Sequence, residues 1–173
     1  LFDATRKLVE KYKIFPEDID RINLSGMCMH LIGDKEPKSA VDAQFSLPYT
    51  VVTTIMSEPL LPELYSQEKL SDPTIRELLS RVEMHPDKEA DADFFNHQKM
   101  RFSIEIILKN SKVIKSDVEW PKDQPVMDKL KLEKKFRSLA GTFFKDDRIE
   151  QLLNKIYNLE KVKDINELIA LLY

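Results

Sequence analysis

One alternation constrains this chain more than any other feature. Met100, Phe102, Ile104 and Ile106 interleave with Arg101, Ser103 and Glu105. Successive side chains on a strand point to opposite faces, so this period of two predicts a strand with one buried face. Asn110-Ser111 can form a tight turn. Val113 to Trp120 then returns as the hairpin partner, with Val118 and Trp120 inward and Lys115, Asp117 and Glu119 outward. A second strand is expected over Ile19 to Ile32. Ile22 and Leu24 begin its alternation, and Met27, Met29 and Leu31 continue it after a phase slip at Gly26, where a bulge is expected.

The other segments have helical spacing. Leu1, Thr5, Leu8, Val9 and Tyr12 share one face of a helix that Pro16 follows. Asp72-Pro73 is a helix start, an N-cap followed by proline at the first helical position, and Ile75, Leu78, Leu79 and Val82 line the face behind it. His85 to Lys99 is polar and acidic and is read as a loop. Pro121 to Pro125 is a composition break. Beyond it come three apolar faces: Leu132, Phe136, Leu139 and Phe143; then Ile149, Leu152, Leu153 and Ile156; then Ile165, Leu168, Ile169 and Leu172. Asp164 with Glu167 resembles a capping box at the third. The fold class is therefore α+β. A small antiparallel-rich sheet packed with helices is expected over residues 1–125, and a C-terminal helical segment over 126–173.

Several functions are excluded or left without support. Three glycines, Gly26, Gly33 and Gly141, cannot supply a phosphate-cradling glycine loop. A net charge of −3 gives no argument for nucleic acid or anionic lipid as a partner. No apolar run approaches the roughly 20 residues of a membrane span. One cysteine, Cys28, forbids an internal disulfide and fits a reducing, cytoplasmic setting. The chain opens on Leu1 without a leader, which reads as a fragment.

Candidate chemistry is sparse. Cys28 and His30 would share a strand face, but two ligands do not make a metal site. His85 and His97 flank the acidic stretch and read as solvated. Asp87, Glu89, Asp91 and Asp93 alternate as calcium ligands do, yet the required glycine and closing glutamate are missing. No metal is expected. The remaining candidate is Ser39 to Val52, SAVDAQFSLPYTVV, with Pro48 amid residues suited to a core and two hydroxyls, Ser46 and Tyr49. One reading is a core helix bent by Pro48, with Ser46 bonded to a backbone carbonyl and Tyr49 bonded at its tip. Nothing in the periodicity or spacing of these residues points to an enzyme.

That stretch resembles the signature at the start of the small domain's main helix in the MmgE/PrpD family. This family includes 2-methylcitrate dehydratases, cis-aconitate decarboxylases and an iminodisuccinate epimerase. The likeness continues in order through Phe15-Pro-Glu-Asp-Ile, the segment from Leu70 to Val82, Trp120-Pro-Lys-Asp-Gln-Pro, Lys135-Phe-Arg-Ser-Leu-Ala and the closing helices from Tyr157. Asp123 stands where the family usually has a glycine, and Asn110-Ser111 where Asp-Gly is common.

The resemblance implies a small α+β domain plus helices that pack on a large helical domain absent from this sequence. It implies a lyase or isomerase acting on small di- and tricarboxylic acids with neither metal nor organic cofactor, 2-methylcitrate dehydratase-like and hence a carbon-oxygen lyase. The isolated chain is expected to be inactive. Tyr49 corresponds to a tyrosine in the active-site cleft of the decarboxylase-like members and is the candidate catalytic residue. A phenol is a proton donor at neutral pH, suited to acid or carboxylate-binding work. Ser46 is the candidate substrate-binding residue, or else ties the kink. The expected partners are a small carboxylic acid and the missing large domain, with no nucleic acid and no membrane; the expected assembly is a homodimer. The alternative is a stand-alone interaction module or non-catalytic subunit.

Overall fold

The computed structural model describes residues 1–56, 62–120, 122 and 128–173. The chain divides into two compact units, Leu1–Pro125 and Val126–Tyr173.

The first unit is α+β. Helix α1 (Phe2–Tyr12) and a short 3-10 turn (Pro16–Asp18) lead into strand β1 (Ile19–Gly26). Helices α2 (Met29–Ile32), α3 (Ala40–Phe45) and α4 (Leu47–Ile55) follow. A 3-10 turn (Pro62–Tyr65), α5 (Gln67–Leu70) and α6 (Pro73–Ser80) complete a long crossover to β2 (Val82–Pro86). Such a crossover is needed because β2 runs parallel to β1, and a hairpin cannot join parallel strands. Helix α7 (Lys88–His97), β3 (Met100–Leu108) and β4 (Val113–Trp120) finish the unit. The strand order is β2-β1-β3-β4, with β3 antiparallel to both β1 and β4, so the sheet is mixed.

The register explains the core. Ile22 faces Ile106, which faces Ile114, and Leu24 faces Ile104. All five are buried and pack with Leu8 of α1, Val51, Val52 and Ile55 of α4, and Ile75, Leu78 and Leu79 of α6. Each fully buried side chain of this size contributes about 1.5–3 kcal/mol of hydrophobic stabilisation. Asp72 caps α6 as its sequence predicts, its carboxylate accepting from Thr74 N at 2.8 Å and Ile75 N at 3.2 Å.

Three expectations are corrected. First, β1 does not run on to Ile32. It ends at Gly26, whose φ is 152° and where a Cβ would lie 2.5 Å from the Arg101 carbonyl oxygen. Cys28 then takes a left-handed conformation (φ 49°) and starts α2, so Cys28 and His30 share no strand face. The sheet's irregularity falls instead between Ile19 and Arg21. Second, the stretch from His85 to Lys99 is not a loop: it holds the end of β2 and all of α7. Third, Asp164 makes no capping box. Its side chain accepts from Asn166 N, while Glu167 pairs with Lys155. The residues at Pro59, Pro121 and Asp123–Pro125, including the glycine replacement at Asp123, lie outside the described residues.

The second unit is helical. Helix α8 (Lys129–Ala140) is capped by Asp128, which accepts from Lys131 N at 2.8 Å. Helix α9 (Asp146–Tyr157) buries Ile149, Leu152 and Leu153, and α10 (Asn166–Ile169) is a single turn. Arg137 joins α8 to Glu150 of α9, and Lys155 of α9 meets Glu167 of α10 at 2.5 Å. Several apolar side chains face solvent, among them Leu130, Leu132, Phe143, Ile165 and Leu172.

Candidate functional site

The sequence SAVDAQFSLPYTVV folds as two helices, and Ser46 is the joint. Ser39 opens α3 with a capping box: Asp42 N donates to Ser39 Oγ at 3.1 Å, and Ser39 N donates to the Asp42 carboxylate at 3.0 Å. A continuous helix would set the Pro48 ring against the carbonyl of Gln44 and lose that hydrogen bond. The chain instead turns extended at Ser46 (φ −84°, ψ 112°) and restarts. Pro48 then sits in the first turn of α4, where its missing N–H has no helical partner to lose.

Ser46 is 1% exposed. Its oxygen accepts from Tyr49 N at 3.1 Å, capping α4, and its hydroxyl donates to the Asp34 carbonyl, tying the 33–38 loop to the joint. Tyr49 is also 1% exposed. Its hydroxyl donates to the Leu64 carbonyl at 2.6 Å, and its ring lies 6.4 Å from that of Tyr65. Thr50 and Thr53 bond back to the carbonyls of Ser46 and Tyr49, at 3.1 and 2.8 Å. The structure thus brings Ser46 and Tyr49 together at the start of α4 and engages both hydroxyls with main chain. For Tyr49 to hold a substrate carboxylate or give up a proton, its bond to Leu64 must be exchanged for one to the substrate.

A second polar feature was not anticipated. A groove of about 400 Å³ lies on the open face of the sheet, lined by Ser25, Arg101, Ser103, Asp117, Glu119 and Lys122 among others. Neither Ser46 nor Tyr49 lines it. The aspartates of α7 are structural. Asp87 caps the helix, Asp91 accepts from Cys28 N at 2.7 Å, and Asp93 meets Arg101 at 2.7 Å. The hydrogen bond from Arg101 holds the Asp93 carboxyl below its usual pKa. His85 sits 3.5 Å from Asn23 and 3.7 Å from Glu83, and His30 and His97 are exposed. Among the described residues, no helix is long and apolar enough to cross a membrane.

Fold and site define an α+β domain with a two-helix signature at its core, followed by a small helical unit. The MmgE/PrpD C-terminal domain matches residues 1–159. The chain belongs to this family. It is 27% identical to the cis-aconitate decarboxylase of Homo sapiens over 172 residues, covering 96% of this chain and 35% of that protein. It is 24% identical to the cis-aconitate decarboxylase of Aspergillus terreus over 174 residues, covering 91% of this chain and 35% of that protein. The chain therefore spans about a third of the length of these relatives.

Proposed function

We propose that this chain is the C-terminal part of a lyase acting on small di- or tricarboxylic acids. The observation that carries this reading is the family match over residues 1–159, together with relatives named for decarboxylation of such an acid. Those names favour loss of carbon dioxide from cis-aconitate over the loss of water expected of a 2-methylcitrate dehydratase. The first breaks a carbon-carbon bond and the second a carbon-oxygen bond. Both develop negative charge beside a carboxylate, so both need a proton donor and groups that hold carboxylates.

In this proposal Tyr49 is the donor or carboxylate clamp that the α+β unit contributes. Ser46 positions it, since the Ser46 oxygen caps the turn that carries Tyr49. The single cap bond makes positioning the better role for Ser46 than direct substrate binding, because its hydroxyl is already given to Asp34. The base and the other carboxylate-holding groups belong to the two-thirds of the relatives' length that this sequence does not span, so the isolated chain is inert. The apolar side chains exposed on α8 and beyond are the surface that meets that part. The protein is cytoplasmic, works without metal or organic cofactor and acts as a homodimer.

The test is the longest natural chain carrying this sequence, incubated with cis-aconitate, 2-methylcitrate and citrate and followed by NMR. Turnover of one of the three supports the reading, with cis-aconitate expected. No turnover of any would return the chain to the alternative of an interaction module.

A further inference from the structure

We infer that Tyr65 is a positioning residue for Tyr49: its ring, and the carbonyl of the peptide it shares with Leu64, fix the Tyr49 ring and aim its hydroxyl. This rests on the role proposed for Tyr49 and deepens it. The root of Tyr49 is held by α4 itself. Its N–H donates to Ser46 Oγ at 3.1 Å, and its carbonyl accepts from the Thr53 hydroxyl at 2.8 Å. These bonds fix where the side chain starts. They do not fix its torsions, which decide where an oxygen at the far end of the ring lies.

The tip is held by the 3-10 turn Pro62–Tyr65. Leu64 and Tyr65 lie at the end of that turn, where carbonyls lack a partner within the helix. The Leu64 carbonyl accepts from the Tyr49 hydroxyl at 2.6 Å. The same planar peptide continues into Tyr65, whose ring lies 6.4 Å from that of Tyr49 at an interplanar angle of 35°. Aromatic rings attract at centroid separations of roughly 4.5–7 Å. One rigid peptide therefore carries both contacts. It receives the hydroxyl at one end and bears the packed ring at the other. Pro62 and Glu63 are exposed, while Leu64 is buried and Tyr65 half-buried, so the turn is anchored through the two residues that meet Tyr49.

The two contacts act at different moments. A substrate that takes the Tyr49 hydroxyl displaces the Leu64 carbonyl. The Tyr65 ring then keeps Tyr49 aimed while its hydroxyl is in use. Without that ring the shared peptide is also free to rotate, and the carbonyl loses its alignment with the hydroxyl.

The test uses the longest natural chain carrying this sequence. Tyr65→Leu removes the ring, Tyr65→Phe keeps it, and both are also made in a Tyr49→Phe background. Circular dichroism checks folding, and Tyr65→Met replaces Tyr65→Leu should that variant fail to fold. On cis-aconitate, Tyr65→Leu should lower kcat by about tenfold or more with KM within about twofold, an effect of the size that small misplacements of reacting groups produce. Tyr65→Phe should restore kcat. In the Tyr49→Phe background Tyr65→Leu should lower kcat no further, because no hydroxyl remains to aim. Hydroxyl exchange is a second readout that needs no turnover. It is followed at a carbon-13 label on the tyrosine Cζ in equal H2O and D2O, with the Tyr49 signal assigned by its loss in Tyr49→Phe. Tyr65→Leu should speed exchange of the Tyr49 hydroxyl by about tenfold or more, and Tyr65→Phe should not. Equal losses of kcat in both Tyr49 backgrounds, or exchange indifferent to Tyr65→Leu, overturn the positioning role. A folded wild type that turns over none of cis-aconitate, 2-methylcitrate and citrate removes the lyase reading, and the exchange rates then decide whether Tyr65 holds Tyr49.

Discussion

Replacing Ser46 by alanine tests whether this one oxygen holds the joint between α3 and α4. Two bonds go with it. The cap to Tyr49 N at 3.1 Å is lost, and losing a serine cap to alanine typically costs about 1 kcal/mol. The Asp34 carbonyl also loses its donor, but Asp34 is exposed and water can take the place of the hydroxyl, so this bond adds only about 0.5–1 kcal/mol. Together the expected loss is about 1–2 kcal/mol. In a chain of this size that lowers Tm by roughly 2–8 °C. Urea unfolding followed by circular dichroism measures it directly. Ser46→Gly separates the two bonds. Glycine caps nearly as well as serine, so this variant should lose mainly the tie to Asp34. A loss for Ser46→Ala below about 0.5 kcal/mol would refute the reasoning, because that is the range of an ordinary surface change.

Three further outcomes follow from the geometry. Thr5 is fully buried on α1 and its hydroxyl has no hydrogen-bond partner among the described residues, so Thr5→Val, nearly the same shape, should raise stability by about 1 kcal/mol in the same unfolding assay. Asp93 should titrate by NMR below the usual aspartate value of 3.8, and Arg101→Ala should move it back up. Since its folded pKa is depressed, any stability from the Asp93–Arg101 pair is present above the unfolded value and is lost as pH falls through the folded one. Tyr49→Phe in the longest natural chain separates two roles. If the hydroxyl only satisfies Leu64, stability falls by about 1 kcal/mol and kcat is unchanged. If it serves the substrate, kcat or kcat/KM falls by about a hundredfold or more, and the second result is expected.

The β3–β4 hairpin was legible because one face of it is buried and the other wet, so Ile104, Ile106 and Ile114 keep a strict period of two. Helix α6 was legible from its cap, since Asp72-Pro73 specifies a start without tertiary help. Strand β2 was not. It buries Val82 alone and ends in Pro86, so it has no period to read. Helix α7 hides for another reason. It buries only Ala90, and its acidic residues look solvated until the fold brings Cys28 N and Arg101 to Asp91 and Asp93. The end of β1 was misread because Met27 and Met29 continue an apolar alternation that the backbone abandons at Gly26. In the Ser39–Val52 stretch, an interruption imposed by Pro48 and the engagement of both hydroxyls were readable, although the chain breaks two residues earlier, at Ser46. Their partners, the carbonyls of Asp34 and Leu64, were not, because they lie 12 and 15 residues away across loops.

The central claim is that this sequence belongs to an enzyme that creates negative charge beside a carboxylate and quenches it with a proton. Running the longest natural chain on cis-aconitate in D2O and following the product by NMR measures that step. Loss of carbon dioxide breaks a carbon-carbon bond, leaves its electron pair on carbon, and requires a proton from an exchangeable donor. The account predicts a decarboxylated product carrying one deuterium at the carbon that regains the proton. A chain that leaves cis-aconitate, 2-methylcitrate and citrate unchanged, with circular dichroism showing it folded, would contradict the account.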